Sequence, residues 1–160
     1  MGEQRKVLEE KLQLQRAKNR LRELQGAVVE TLLDKDNALR LDQLLTEYLR
    51  MSCPVAIPPK SRLPMTAEED AIAEWLVTTL GLEAGAVYYY SCEGLWARLR
   101  LQEPVTAVRS LWKQKAGQGY TVGFVLVTED LGCLLEAGSD SRDEAHYLAD
   151  SWLCPPGELV

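Results

Sequence analysis

The sequence predicts an α+β fold: an N-terminal helical hairpin with a partial coiled-coil seam, then an α-ββ-α-ββ-α body on a mainly antiparallel, four-stranded sheet. Three observations lead there. Apolar residues recur at three- and four-residue spacing from Val7 to Leu49. Residues 52 to 65 hold four prolines, which interrupt regular structure. Beyond them, helix-capping patterns alternate with short β-prone runs joined by two-residue turns.

The first predicted helix covers about residues 5 to 33, rich in Leu, Glu, Lys, Gln and Arg. Along it Leu14, Ala17, Leu21, Leu24 and Val28 keep a 3-4-3-4 spacing, with Val7 in phase upstream. This narrow apolar seam calls for a partner helix. Glu10 sits in the seam between Val7 and Leu14, and Gly26 falls near its end, so the coiled-coil pattern is short. Asp34 to Asn37 supply a turn and an N-cap, and Leu41, Leu44, Leu45, Tyr48 and Leu49 mark a second helix to about Met51.

In the body, Thr66 and Glu69 match a capping box ahead of Ala71, Ile72, Trp75, Leu76 and Leu80, with Gly81 as the stop. Ala86 to Cys92 and Leu95 to Gln102 form a predicted hairpin around Glu93-Gly94. Pro104 opens a helix bearing Val105, Val108, Leu111 and Trp112, which Gly117 to Gly119 end. Tyr120 to Thr128 and Leu131 to Ala137 read as a second hairpin. Ser141 and Glu144 suggest a capping box for a last helix through Ala145, Leu148, Ala149 and Trp152. The predicted organisation is a helical arm over residues 1–51, a semi-rigid Pro-rich connector over 52–65, the body over 66–154 and a tail over 155–160.

Charge separates arm from body. Residues 1 to 25 hold seven Lys/Arg against four Glu, a net of +3, whereas residues 26 to 160 carry −9. An acidic body repels phosphate backbones, which disfavours nucleic acid. No apolar run approaches the roughly 20 residues of a membrane span, and no apolar signal core follows the first Met, so the expected location is cytoplasmic and away from membranes.

Chemistry-bearing patterns are sparse. Cys53, Cys92, Cys133 and Cys154 lack CxxC spacing, so neither a zinc site nor a disulfide framework is expected. The acidic groups Glu68-Glu69-Asp70 and Asp140 to Glu144 fall in first turns of predicted helices, where they complement the helix dipole rather than hold metal. His146 is the only histidine, so a nucleophilic pair would have to use it with Cys133. No catalytic residue, metal or cofactor is expected.

The aromatic residues suggest a contact surface. Strand alternation that sends Leu95, Ala97, Leu99 and Leu101 inward sends Trp96, Arg98 and Arg100 outward, and a face shared with Tyr88 and Tyr90 would have interface composition. The sequence therefore reads as a non-enzymatic interaction module, of adaptor, chaperone or inhibitor type. It would self-associate or bind a partner protein through Leu14, Ala17, Leu21, Leu24 and Val28 and through the face of Tyr88, Tyr90, Trp96, Arg98 and Arg100. The alternatives are a toxin-neutralising immunity protein, and a small enzyme or ligand sensor using Cys133 and His146 or a Tyr-lined pocket.

Overall fold

A computed structural model describes residues 2–52, 58–116, 123–139 and 143–156. Cys53, the Gly117–Gly119 stop, positions 120–122 of the expected strand, Ser141, the core of the Pro-rich connector and most of the tail lie outside the described residues.

The elements run α1 (Gly2–Arg22), β1 (Ala27–Leu32), α2 (Lys35–Ser52), β2 (Ser61–Pro64), α3 (Glu69–Leu80), β3 (Val87–Cys92), β4 (Leu95–Leu101), α4 (Pro104–Ala116), β5 (Gly123–Thr128), β6 (Cys133–Gly138) and β7 (His146–Leu153). The strands form one seven-stranded sheet in the order β1-β4-β3-β5-β6-β7-β2, with every neighbouring pair antiparallel. The class is α+β, but the sheet holds seven strands where four were expected. The three additions all come from segments read otherwise in the sequence.

The first addition replaces the helical hairpin. Instead of running to residue 33, α1 ends at Arg22, because Gly26 takes a left-handed conformation (φ 77°) that releases the chain into β1. The Gly26 carbonyl then accepts the backbone N–H groups of Gln102 and Glu103 at 2.8 and 2.9 Å, at the start of α4. A side chain there has no room: an added Cβ would lie 2.6 Å from the Ala107 nitrogen. Val28, Val29 and Thr31 supply the β-branched residues that pair well along β4.

The second addition is β2, inside the expected connector. It occupies a sheet edge beside β7, where Pro64 lacks an N–H without breaking a central ladder. The third is β7 in place of the last helix. Ala145, Leu148, Ala149 and Trp152 fit a helical spacing, yet Ala149 joins one core cluster and Trp152 lies against the other, as alternation along a two-sided strand requires. Pairing with β6 on one side and β2 on the other decides the outcome.

Other local signals match the structure. Glu93 and Gly94 take positive φ (53° and 79°) in the tight turn between β3 and β4, and Gly81 caps α3 with φ 66°. The expected Thr66 cap does not form; Glu68 occupies the N-cap without a side-chain bond.

Two cores flank the sheet. The larger joins Ala17 and Leu21 of α1, Ile72, Leu76 and Leu80 of α3 and Val108 and Leu111 of α4 to Tyr88, Tyr90, Leu99, Leu101 and Leu126. The smaller joins Ala38, Leu41, Leu44 and Tyr48 of α2 to Trp96, Val127 and Leu134. The two N-terminal helices therefore serve different cores of one sheet.

Candidate functional site

The first helix has two unlike halves. Its C-terminal half is anchored: Ala17 and Leu21 are buried and Leu24 packs against the same core. Polar bonds fix this half to the body. Gln13 Nε2 donates to the Glu93 carbonyl at 2.9 Å, and Arg20 Nε pairs with Glu93 Oε1 at 2.8 Å. Arg20 Nη1 donates to the Gln114 carbonyl at 3.3 Å, while Gln114 Nε2 returns a bond to the Arg20 carbonyl.

The N-terminal half is bare. Residues 2–9 are exposed without interruption, so more than two helical turns lack a covered side. Lys35 Nζ reaches Glu10 Oε1 at 2.8 Å and tethers this half to the start of α2. That bond holds the Glu10 carboxyl below its ordinary range. Val7, Leu8, Leu12 and Leu14 remain 50%, 58%, 49% and 39% exposed.

These side chains form a surface of definite charge. At about 100° per residue, the arc from Leu14 round to Leu12 spans roughly 160° of the helix. It contains Val7, Leu8, Lys11, Lys18 and Arg22, the neutral Gln4, Gln15 and Asn19, and no carboxylate; Glu3 and Glu10 border one side and Glu9 the other. Among the described residues, none pairs ionically with Lys11, Lys18 or Arg22, whereas Arg5 is 3.8 Å from Glu9 and Arg16 is 3.9 Å from Glu93. The arc is thus apolar and basic together.

No protein-family model, curated protein or solved structure matches the chain.

The expected seam divides between these halves. Ala17, Leu21 and Leu24 face the body, Leu14 lies on the bare arc, and Val28 belongs to β1, where it is 42% exposed. Leu8 and Leu12, which the heptad passes over, are the most exposed of the region with Val7. Helical phase alone could have flagged them, since they lie one turn apart on the side away from Ala17 and Leu21.

The expected aromatic face does not assemble. Tyr88 and Tyr90 lie in the larger core, opposite Leu99 and Ala97, and burial pushes the Tyr90 phenol well above its ordinary value. Trp96 is buried under α2, with Nε1 donating to Asp42 Oδ1 at 2.9 Å. Arg98 and Arg100 lie on this second face, where both guanidinium Nε groups bond Glu30 at 3.0 Å. Arg98 also bonds Glu129 and the Tyr89 hydroxyl, and Arg100 Nη1 donates to the Gly85 carbonyl at 2.8 Å. The hydrogen bond from Arg100, then that from Arg98, holds the Glu30 carboxyl low. These arginines brace β1 against β4 and already have their acceptors.

The Cys133–His146 pair does not form. Cys133 is opposite Leu153 while His146 is seven residues back along β7, about 20 Å away at strand spacing. His146 Nδ1 instead lies 3.0 Å from Asp143, which Arg62 also bonds. The His146 bond is the largest cause that brings the Asp143 carboxyl down to about 2. Cys133 Sγ lies 3.1 Å from Ser151 Oγ. Among the described residues no group of three or more His, Cys, Asp or Glu could hold a metal ion, and no helix is long and apolar enough to cross a membrane. An open cleft of about 550 Å³ beside the β5–β6 turn is lined by Val87, Thr128, Asp130, Cys133 and Leu153, with Tyr88 its only tyrosine among the described residues. Within it Thr128 Oγ1 donates to Asp130 Oδ1 at 2.8 Å, and His146 is not among its lining residues.

Proposed function

We propose that the chain is a non-enzymatic protein-binding module whose contact surface is the bare half of α1. The observation that carries this reading is the exposure of Val7, Leu8, Leu12 and Leu14 on a helix whose other half is anchored into the core. Covering a half-exposed Leu or Val gains on the order of 1 kcal/mol, so four of them supply much of a modest docking energy. The anchor matters as much. A helix held by Ala17, Leu21 and the Glu93 bonds presents its outer turns already formed, which lowers the ordering cost of association.

Arg98 and Arg100, tied to Glu30, serve in this reading as the frame of the sheet edge rather than as the contact. An adaptor, a chaperone or an inhibitor would each use a surface of this kind.

The test is a quantitative capture experiment with the full chain and its quadruple variant Val7→Ser, Leu8→Ser, Leu12→Ser and Leu14→Ser, folding being checked by circular dichroism. The variant is expected to keep the wild-type spectrum and thermal midpoint and to lose the proteins, or the second copy, that the wild type retains. Retention of the same proteins at the same level by both chains would overturn the reading.

A further inference from the structure

We infer that the bare arc of α1 receives an acidic amphipathic helix of a different protein, an inference that rests on the binding reading above and names its partner. Positions 7, 11, 14 and 18 follow a coiled-coil seam, and they read Val7, Lys11, Leu14, Lys18, apolar and cationic in alternation. Arg22 continues the cationic row. A facing helix that offers Leu or Val to Val7 and Leu14 and Glu or Asp to Lys11 and Lys18 satisfies every position.

Charge complementarity separates this occupant from the others. A second copy of α1 brings its own Lys11 and Lys18 to the seam, where the nearest carboxylates are Glu3 and Glu10 at the border of the arc, and Glu10 is already bonded to Lys35. An anionic bilayer matches the charge locally, but it is a plane. Binding it would bring residues 26–160, net −9, toward a negative surface, whereas a single helix touches the arc alone. α1 also lacks Trp, Tyr and Phe, the side chains that seat a helix at a lipid interface.

The test titrates the full chain into three probes: a fluorescent synthetic Leu/Glu amphipathic helix, its Leu/Lys counterpart, and vesicles of phosphatidylcholine with phosphatidylserine. The Leu/Glu helix is expected to bind at least about tenfold more tightly than the Leu/Lys helix, and to weaken as salt shortens the screening length. The triple reversal Lys11→Glu, Lys18→Glu and Arg22→Glu is expected to invert that preference, and Leu8→Ser with Leu12→Ser to weaken both. Equal binding of the two helices, or binding of neither, overturns the inference. So does sedimentation of the protein with the vesicles. If neither helix binds but the Leu8→Ser, Leu12→Ser pair dissociates an oligomer seen by sedimentation velocity, the occupant is a second copy and only the acidic partner is lost. If no α1 substitution changes any binding or any mass, the binding reading falls as well.

Discussion

The two halves of α1 share a helix and a composition but differ in what surrounds them. Between Gln13 and Arg22 the apolar side chains are mostly used: Ala17 and Leu21 are buried while Leu14 stays on the bare arc, and Gln13 and Arg20 bond to Glu93 and Gln114. Between Gly2 and Leu12 the apolar side chains are equally frequent and unused, and the Glu10–Lys35 pair is the tether to the body. Helix propensity and amphipathicity are therefore poor guides to whether a helical face is core or contact surface. Which turns lie over the sheet decides it.

This difference can be broken by paired substitutions. Leu21→Ala is expected to lower unfolding stability by about 3 kcal/mol, as a large-to-small change in a packed core does. The chemically identical change Leu12→Ala should cost less than about 0.5 kcal/mol in the free chain, since that side chain stays half exposed and outside both cores. Urea unfolding of both variants reads the contrast. Comparable losses would mean that the N-terminal half is also buried.

The join between α1 and the sheet offers a somewhat smaller effect. Gly26→Ala places a Cβ against the backbone of α4 at a positive φ, for an expected loss of roughly 2 kcal/mol. A substitution without cost would show that the chain leaves α1 by another path.

The smallest effect concerns the tether. The Glu10 carboxyl is held low by the Lys35 hydrogen bond, so the contribution of the pair is present at pH above the ordinary carboxylate value and is lost as pH falls through the lowered one. Backbone order of residues 2–12, followed by nuclear Overhauser effects, should accordingly decline on acidification below that value in the wild type. In Glu10→Gln it should start lower and stay flat. The same pH dependence in both chains would assign the tether to another group.

Much of the local turn chemistry was legible in the sequence, the Thr66 cap excepted, and tertiary choices were not. Glu93-Gly94, Gly81 and Pro104 each do in the structure what their residue types dictate, because a turn or a helix end is decided within a few residues. The expected helix through Ala145, Leu148, Ala149 and Trp152 failed because its spacing also suits a strand with two covered faces, and only the pairing with β6 and β2 chooses. Gly26 was visible as an interruption, but its role depends on Gln102, Glu103 and Ala107, about eighty residues away.

The candidate site was half legible. The apolar spacing of Leu14, Ala17, Leu21 and Leu24 is visible in the sequence, but spacing does not tell that Ala17 and Leu21 are spent on the core while Leu8 and Leu12 stay bare. The side taken by the tyrosines is legible from the turn. A two-residue turn at Glu93-Gly94 sets Tyr90 opposite Ala97 and Tyr88 opposite Leu99, which puts both tyrosines on the inward side with those residues.

Hydrogen–deuterium exchange of the dilute free chain tests the central claim most directly, because it compares the two halves of one helix in one sample. Amides of residues 2–12 are predicted to exchange at least about tenfold faster than those of residues 13–22, whose turns open only with the core. Equal protection of both halves, unchanged on dilution, would show that the chain already shelters the surface and would contradict its role as a docking site.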